Sequence, residues 1–386
     1  MTFHLDYGKS WAKSIYTRTT REGPFYATSI TGDGSKMFRS NDDHGTVCFN
    51  AETGEEVWRR KDARGSEIYF NDNKVFVFYF PNVRNTEEEL FCLNADTGEV
   101  LWSERGYSVG GLLESEEGKL YRIFVEKGTY KYDSLLSIVH FDTATGKALS
   151  QTKMIIKRFS SERYGFYYHI YNNKLYVNSR YIGGDRIKCF DINNGSLIWE
   201  SNCKSNTWVF FGNKIYVSYY DSIRKYSYIY CLDADTGEEI WDKKIKEDTF
   251  SLTADNDFVV ISTGAWWPKV YSFSASTGKI IWESQDYIGL LWPVINNGKI
   301  YCLVDPGGGG DSAAVFACLD LQTGARLWNI YLGYNSVARH MDWIQGDISY
   351  YLFSYYLGET PSGSQNLYAL MGDVLYCFDL SMLEKN

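Results

Sequence analysis

One phrase, written eight times, limits what this chain can fold into. Complete copies are "CFNAETGEEVW" from Cys48, "CLNADTGEVLW" from Cys92, "HFDTATGKALS" from His140, "CFDINNGSLIW" from Cys189, "CLDADTGEEIW" from Cys231, "SFSASTGKIIW" from Ser272 and "CLDLQTGARLW" from Cys318. A truncated "CFDL" begins at Cys377. Each copy is an alternating apolar run, a polar turn and a second run that ends in Trp, and alternation at period two reads as a half-buried strand. The Asp or Asn after the first run can hydrogen-bond turn backbone, and the Gly supplies a positive φ. The turn glycines Gly54, Gly98, Gly146, Gly195, Gly237, Gly278 and Gly324 are spaced by 44, 48, 49, 42, 41 and 46 residues.

A period of 40 to 50 residues built from strands predicts a β-propeller with one four-stranded blade per repeat. Two further strands precede the phrase, as in "NTWVFFGNKIYVSYY" (206–220), hinged at Gly212-Asn213-Lys214. No amphipathic helix stands out. The expectation is an all-β chain, one eight-bladed propeller over residues 1–386. Residues 6–15, with Gly8 and Trp11, supply the outer strand that blade eight lacks, so that the N-terminal strand completes the C-terminal blade and removes two open sheet edges.

Charge and cysteine usage narrow the function classes. The net charge of −9 and the lack of a basic run disfavour nucleic acid, and no apolar stretch reaches the length of a membrane span. Residues 1–14 carry no hydrophobic signal core. Six of the eight cysteines (Cys48, Cys92, Cys189, Cys231, Cys318 and Cys377) hold one repeat position in different blades. Equivalent positions of separate sheets cannot reach the Cα separation of about 5.5 Å that a disulfide needs. They read as small buried hydrophobes, and so many free thiols place the chain in a reducing compartment, the cytoplasm.

The phrase "LDADTGEEIW" resembles the repeat of the PQQ-like (quinoprotein dehydrogenase-like) β-propellers, and the resemblance spans essentially the whole chain. In that family the Trp packs between neighbouring blades, which assigns a docking role to Trp58, Trp102, Trp199, Trp241, Trp282, Trp328 and Trp11. Blade three departs, with Ser150 where the Trp should stand. The resemblance implies a bacterial source. It offers two functions. The family's enzymes hold PQQ and Ca²⁺ beside a vicinal cysteine pair, and no two cysteines are adjacent here, so no cofactor is expected. A cofactor-free relative, the lipoprotein of outer-membrane β-barrel assembly, is similar in size and bareness, but it needs a lipidated N-terminal Cys, and the first here is Cys48.

Signals for catalysis are few. His140 stands in the cysteine register and reads as a strand position, and His44 beside Asp42 and Asp43 reads as a turn rather than a metal cluster. No HExxH, CxxC or P-loop motif occurs. Asp305 to Asp311, through four glycines, matches no EF-hand spacing.

The loops joining second and third strands are long and unlike one another, and variable loops on a rigid scaffold carry binding. They comprise Pro81–Glu89 with Glu87, Glu88 and Glu89, Glu126–Asp133, Gly264–Lys269 with Trp266 and Trp267, Asp305–Asp311 and Gly358–Gln365. The expected function is a non-catalytic, cytoplasmic protein-binding module, monomeric by itself. Its partner is a protein with a basic surface, held by Trp266, Trp267, Glu87, Glu88, Glu89, Asp305 and Asp311. The alternatives are a funnel-site enzyme acting on a carbohydrate or small molecule, and an exported propeller of outer-membrane assembly type with a signal before Met1.

Overall fold

The repeated phrase folds as a hairpin whose turn is held by its own first polar side chain. In the fifth copy, β21 (Tyr226–Asp233) pairs antiparallel with β22 (Glu239–Ile245), and Cys231 faces Trp241. Asp233 Oδ1 accepts the backbone N–H groups of Asp235 and Thr236, both at 2.9 Å. The Asp233 carbonyl accepts the Gly237 N–H at 2.8 Å, and Gly237 sits at φ 72, a conformation that costs a residue with a Cβ. Asn50 and Asn94 cap their turns the same way, and Asp142, Asp191 and Asp320 accept turn N–H groups likewise. The Cys-to-Trp register recurs at Cys48–Trp58, Cys92–Trp102, Cys189–Trp199 and Cys318–Trp328. At blade three His140 faces Ser150.

The computed structural model describes residues 2–4, 9–14, 30–41, 45–65, 67–79, 88–106, 109–116, 119–126, 133–157, 166–179, 185–263, 269–284, 289–305, 315–331, 353–359, 365–371 and 374–380. Among them the strands form eight sheets, and the fold is an all-β propeller. Two compact units each hold four sheets: residues 1–5 with 158–342, and residues 6–157 with 343–386.

The expectation of a single eight-bladed propeller is corrected here, to a propeller of seven blades. Seven blades are runs of four consecutive strands. The remaining sheet is a composite in which β2 (Lys9–Ser14) lies outside β33 (Val374–Asp379), with Trp11 opposite Cys377. One of the seven carries a fifth strand, β1 (Thr2–His4), parallel to β30 (Arg326–Tyr331). The physical reason is that each phrase is a local hairpin signal. Counting phrases counts hairpins, and does not say how the sheets they seed divide into compact units. The connection at 360–364 also differs from its reading as a second-to-third-strand loop. It joins β31 (Phe353–Glu359) to β32 (Gln365–Met371), the first two of the three C-terminal strands.

Within each unit, sheets stack through interleaved apolar faces. In the first, Tyr216, Ile229 and Cys231 of one sheet meet Val259, Ile261 and Phe273 of the next. In the second, Phe38 and Cys48 meet Ile68, Val75 and Val77. All eight cysteines are free and buried. Burial pushes the thiols of Cys48, Cys92 and Cys189 up to about 12 and those of Cys203 and Cys231 up to about 11. The thiolate is the reactive form, so native protein should react slowly with a thiol reagent even at pH 9. Denaturation should release all eight thiols. Rapid native labelling of more than one or two would contradict this packing.

Candidate functional site

The blade-docking tryptophans define how much of each sheet is left for function. Trp58, Trp102, Trp199, Trp241 and Trp282 each lie under the Thr-Gly turn of the following blade, where a Cβ on Gly98, Gly146, Gly237, Gly278 or Gly324 would sit 2.5–2.6 Å from the indole. Each indole N–H donates to a carbonyl there: Ala95 at 2.9 Å, Thr143 at 3.1 Å, Ala234 at 3.1 Å, Ala275 at 3.0 Å and Leu321 at 2.8 Å. Trp328 is buried, and its indole N–H has no acceptor among the described residues. The Trp11 side chain lies outside them.

Of the residues expected to bind a partner, Trp266, Trp267, Glu87 and Asp311 lie outside the described residues. Asp305 ends β28 (Lys299–Asp305). Glu88 and Glu89 are placed differently from a loop: both belong to β9 (Glu88–Asn94). Glu88 is only 4% exposed and pairs with the Arg122 guanidinium, itself buried and 5.0 Å over the Phe78 ring. Glu89 holds Arg105 at 3.0 Å. Glu88 therefore serves the interior and is closed to a partner, because drawing it away would leave a buried cation without it. His140 stacks on Tyr121 at 5.1 Å, and burial lowers its pKa. Among the described residues no group of three or more His, Cys, Asp or Glu could hold a metal. No helix there is long and apolar enough to cross a membrane.

One surface feature was not singled out from the sequence. In blade five, β20 (Lys214–Asp221) and β21 are joined by Ser222-Ile223-Arg224-Lys225. Ile223 is 91% exposed, while among the described residues the other large apolar side chains reach at most 60%. The loop is rigid for local reasons. Asp221 Oδ1 accepts the N–H groups of Ile223 and Arg224, both at 3.0 Å, and these bonds hold its carboxyl below the usual range. The Asp221 carbonyl accepts the Lys225 N–H at 2.8 Å, with Lys225 at φ 60. Below the loop, the buried hydroxyls of Ser218 and Ser227 hydrogen-bond with Thr249, and Ser227 also donates to the Glu247 carbonyl at 2.7 Å.

Cations on tyrosines surround the tip. Lys244 Nζ lies 3.7 Å from the Tyr226 ring centroid and 5.5 Å from that of Tyr228, and Lys204 Nζ lies 5.3 Å from that of Tyr219. The Tyr228 oxygen, then the Asp221 carboxylate, raise the pKa of Arg224, so its charge is secure. The signal was present as "YYDSIRKYSY": an Asx-turn aspartate followed by an aliphatic residue where a four-residue turn wants polar ones.

A β-propeller whose described loops present side chains on rigid hairpins defines the class of protein. The comparisons then give the family. The family profile described as outer membrane protein assembly factor BamB matches residues 9–164 and 225–354, and the chain belongs to this PQQ-like β-propeller family. Among solved structures, the computationally designed Ika8 protein is similar at 14% identity and a TM-score of 0.60, over 92% of this chain and 97% of that one. Quinohemoprotein alcohol dehydrogenase ADHIIG from Pseudomonas putida HK5 is similar at 11% identity and a TM-score of 0.60, over 98% and 78%. BamB from Moraxella catarrhalis matches at 14% identity and a TM-score of 0.49, over 72% and 81%. At such identities the likeness is one of fold. A comparison with curated proteins gives no match.

Proposed function

We propose that the protein is a non-catalytic binding module that holds another protein at the ends of its blades where second strands turn into third. The observation that carries this reading is Ile223, an aliphatic side chain held out in solvent on a turn that fixes its backbone. Isolated exposed apolar residues are ordinary, but one on a rigid tip loses little freedom on binding. Propellers commonly serve as interaction scaffolds, and the family description, an assembly factor, supports the same class.

The test uses the full chain with a photo-crosslinking residue at position 223, irradiated in lysate from its own source, followed by affinity measurement with the partner so identified. Ile223→Asp should weaken that complex by about tenfold or more with an unchanged melting temperature. Equal affinity for the variant would sink the reading. Within the same proposal the chain resides in the cytoplasm, supported by eight buried cysteines that form no disulfide. The family description supports an exported assembly factor instead. Fractionation decides: the protein is recovered in the cytosol in the first case and with the cell envelope in the second.

A further inference from the structure

The net charge of −9 predicts a basic partner, yet the charge at the blade-five tip has the opposite sign. Arg224 and Lys225 follow Ile223 in the loop, while Lys204 and Lys244 lie over Tyr219 and Tyr226 of the two strands that the loop joins. The loop's own carboxylate, Asp221, is committed to the turn, accepting two backbone N–H groups and lying 3.8 Å from Arg224 Nε. Asp248 lies near Lys225, which partly offsets the rise that burial gives its pKa, so one carboxylate stands among these cations. An apolar centre with a charged rim is the anatomy of a protein interface, and the rim's sign selects the partner.

We propose that the blade-five tip docks an acidic protein segment, with Ile223 entering an apolar pocket of that partner and Arg224, Lys225, Lys204 and Lys244 pairing with its carboxylates. The tyrosines make this more selective than a bare cationic patch. Tyr219, Tyr226 and Tyr228 hold the ammonium groups of Lys204 and Lys244 over their rings, so these charges sit at set positions. A long phosphate backbone is a poorer match, because the rest of an acidic surface would repel it beyond the few cations here. This inference rests on the binding-module reading and adds the partner's chemistry to it.

The experiment uses the full chain and a labelled random copolymer of glutamate and tyrosine as probe, with fluorescence anisotropy as readout at low and moderate salt. Polyuridylate and vesicles of anionic phospholipid are run in parallel. The copolymer should bind, and Arg224→Glu with Lys225→Glu should weaken it by about tenfold or more. Lys147→Glu with Lys279→Glu makes the same charge change at two Thr-Gly turns, and should leave binding within about twofold. If the loop variant fails to fold, Lys204→Glu with Lys244→Glu replaces it, with the same expected loss. Copolymer binding that is absent, or equal in wild type and loop variant, overturns the proposal. So does stronger binding of polyuridylate or vesicles, which would assign the tip to nucleic acid or lipid. Should Ile223→Asp abolish the native complex while the charge-reversed loop retains it, the binding module stands and the acidic partner falls. Should both retain it, both readings fall.

Discussion

Trp241→Ala is expected to destabilise its unit by about 3 to 5 kcal/mol, the range for emptying a buried Trp site. The indole fills the space beneath the Gly278 turn, lies 6.0 Å from the Tyr216 ring and donates to the Ala275 carbonyl. Truncation leaves a cavity between two sheets and removes a donor from that carbonyl, whose loss adds about 1 kcal/mol. A cycle with Gly278→Ala isolates the packing. In the parent that Cβ would lie 2.6 Å from Trp241 Cε3 at φ +65, so both clash and backbone strain oppose it. In the Trp241→Ala background only the backbone strain remains, and the two changes should be strongly non-additive. Urea unfolding followed by far-UV circular dichroism reads both. A loss below about 1 kcal/mol would show that the tryptophan does not dock the blades.

The second large effect belongs to the buried pair. Glu88→Ala should cost about 3 to 5 kcal/mol, because it leaves the Arg122 guanidinium buried without its carboxylate. Glu88→Leu with Arg122→Met should recover most or all of this, since a hydrophobic pair of similar volume removes two desolvation penalties together. A double variant as unstable as the single one would assign the effect to shape rather than charge. Glu104 gives the same cluster a pH signature. Burial raises its pKa above 4.5, and Arg122 partly offsets the rise. A carboxyl raised in the folded state contributes stability fully present below its unfolded pKa of 4.5, and that contribution is lost as pH rises through the folded value. Removing the cation in Arg122→Met raises the folded value further, so stability should fall over a wider pH window than in the parent. Unfolding free energies measured from pH 4 to 8 test this. A narrower or unchanged window would contradict the assigned cause.

Much of the local architecture was legible because its causes are local. An Asp or Asn four residues before the turn glycine commits the turn wherever it occurs, and the alternating burial of each strand follows from the period of two. The docking tryptophans, such as Trp241, were legible from their place in the phrase. Glu88 shows where that legibility stops. In "NTEEELFC" three glutamates in a row look like a solvated loop, yet the middle one starts a strand and points at an arginine 34 residues away. Ile223 shows the reverse, an aliphatic side chain that a hydropathy reading would bury and the turn holds in water.

By itself, then, the sequence determined the repeating unit: hairpin, Asx turn, positive-φ glycine and tryptophan, each decided by residues within about ten positions of one another. The tertiary structure alone decided the partition of eight sheets into two units, the capture of Glu88 by Arg122 and the isolation of Ile223 at a rigid tip. The reason is physical. Strand period and turn chemistry act along the chain, whereas burial and charge pairing depend on which surfaces meet across it, and in a repeat protein every copy of the phrase offers the same surface.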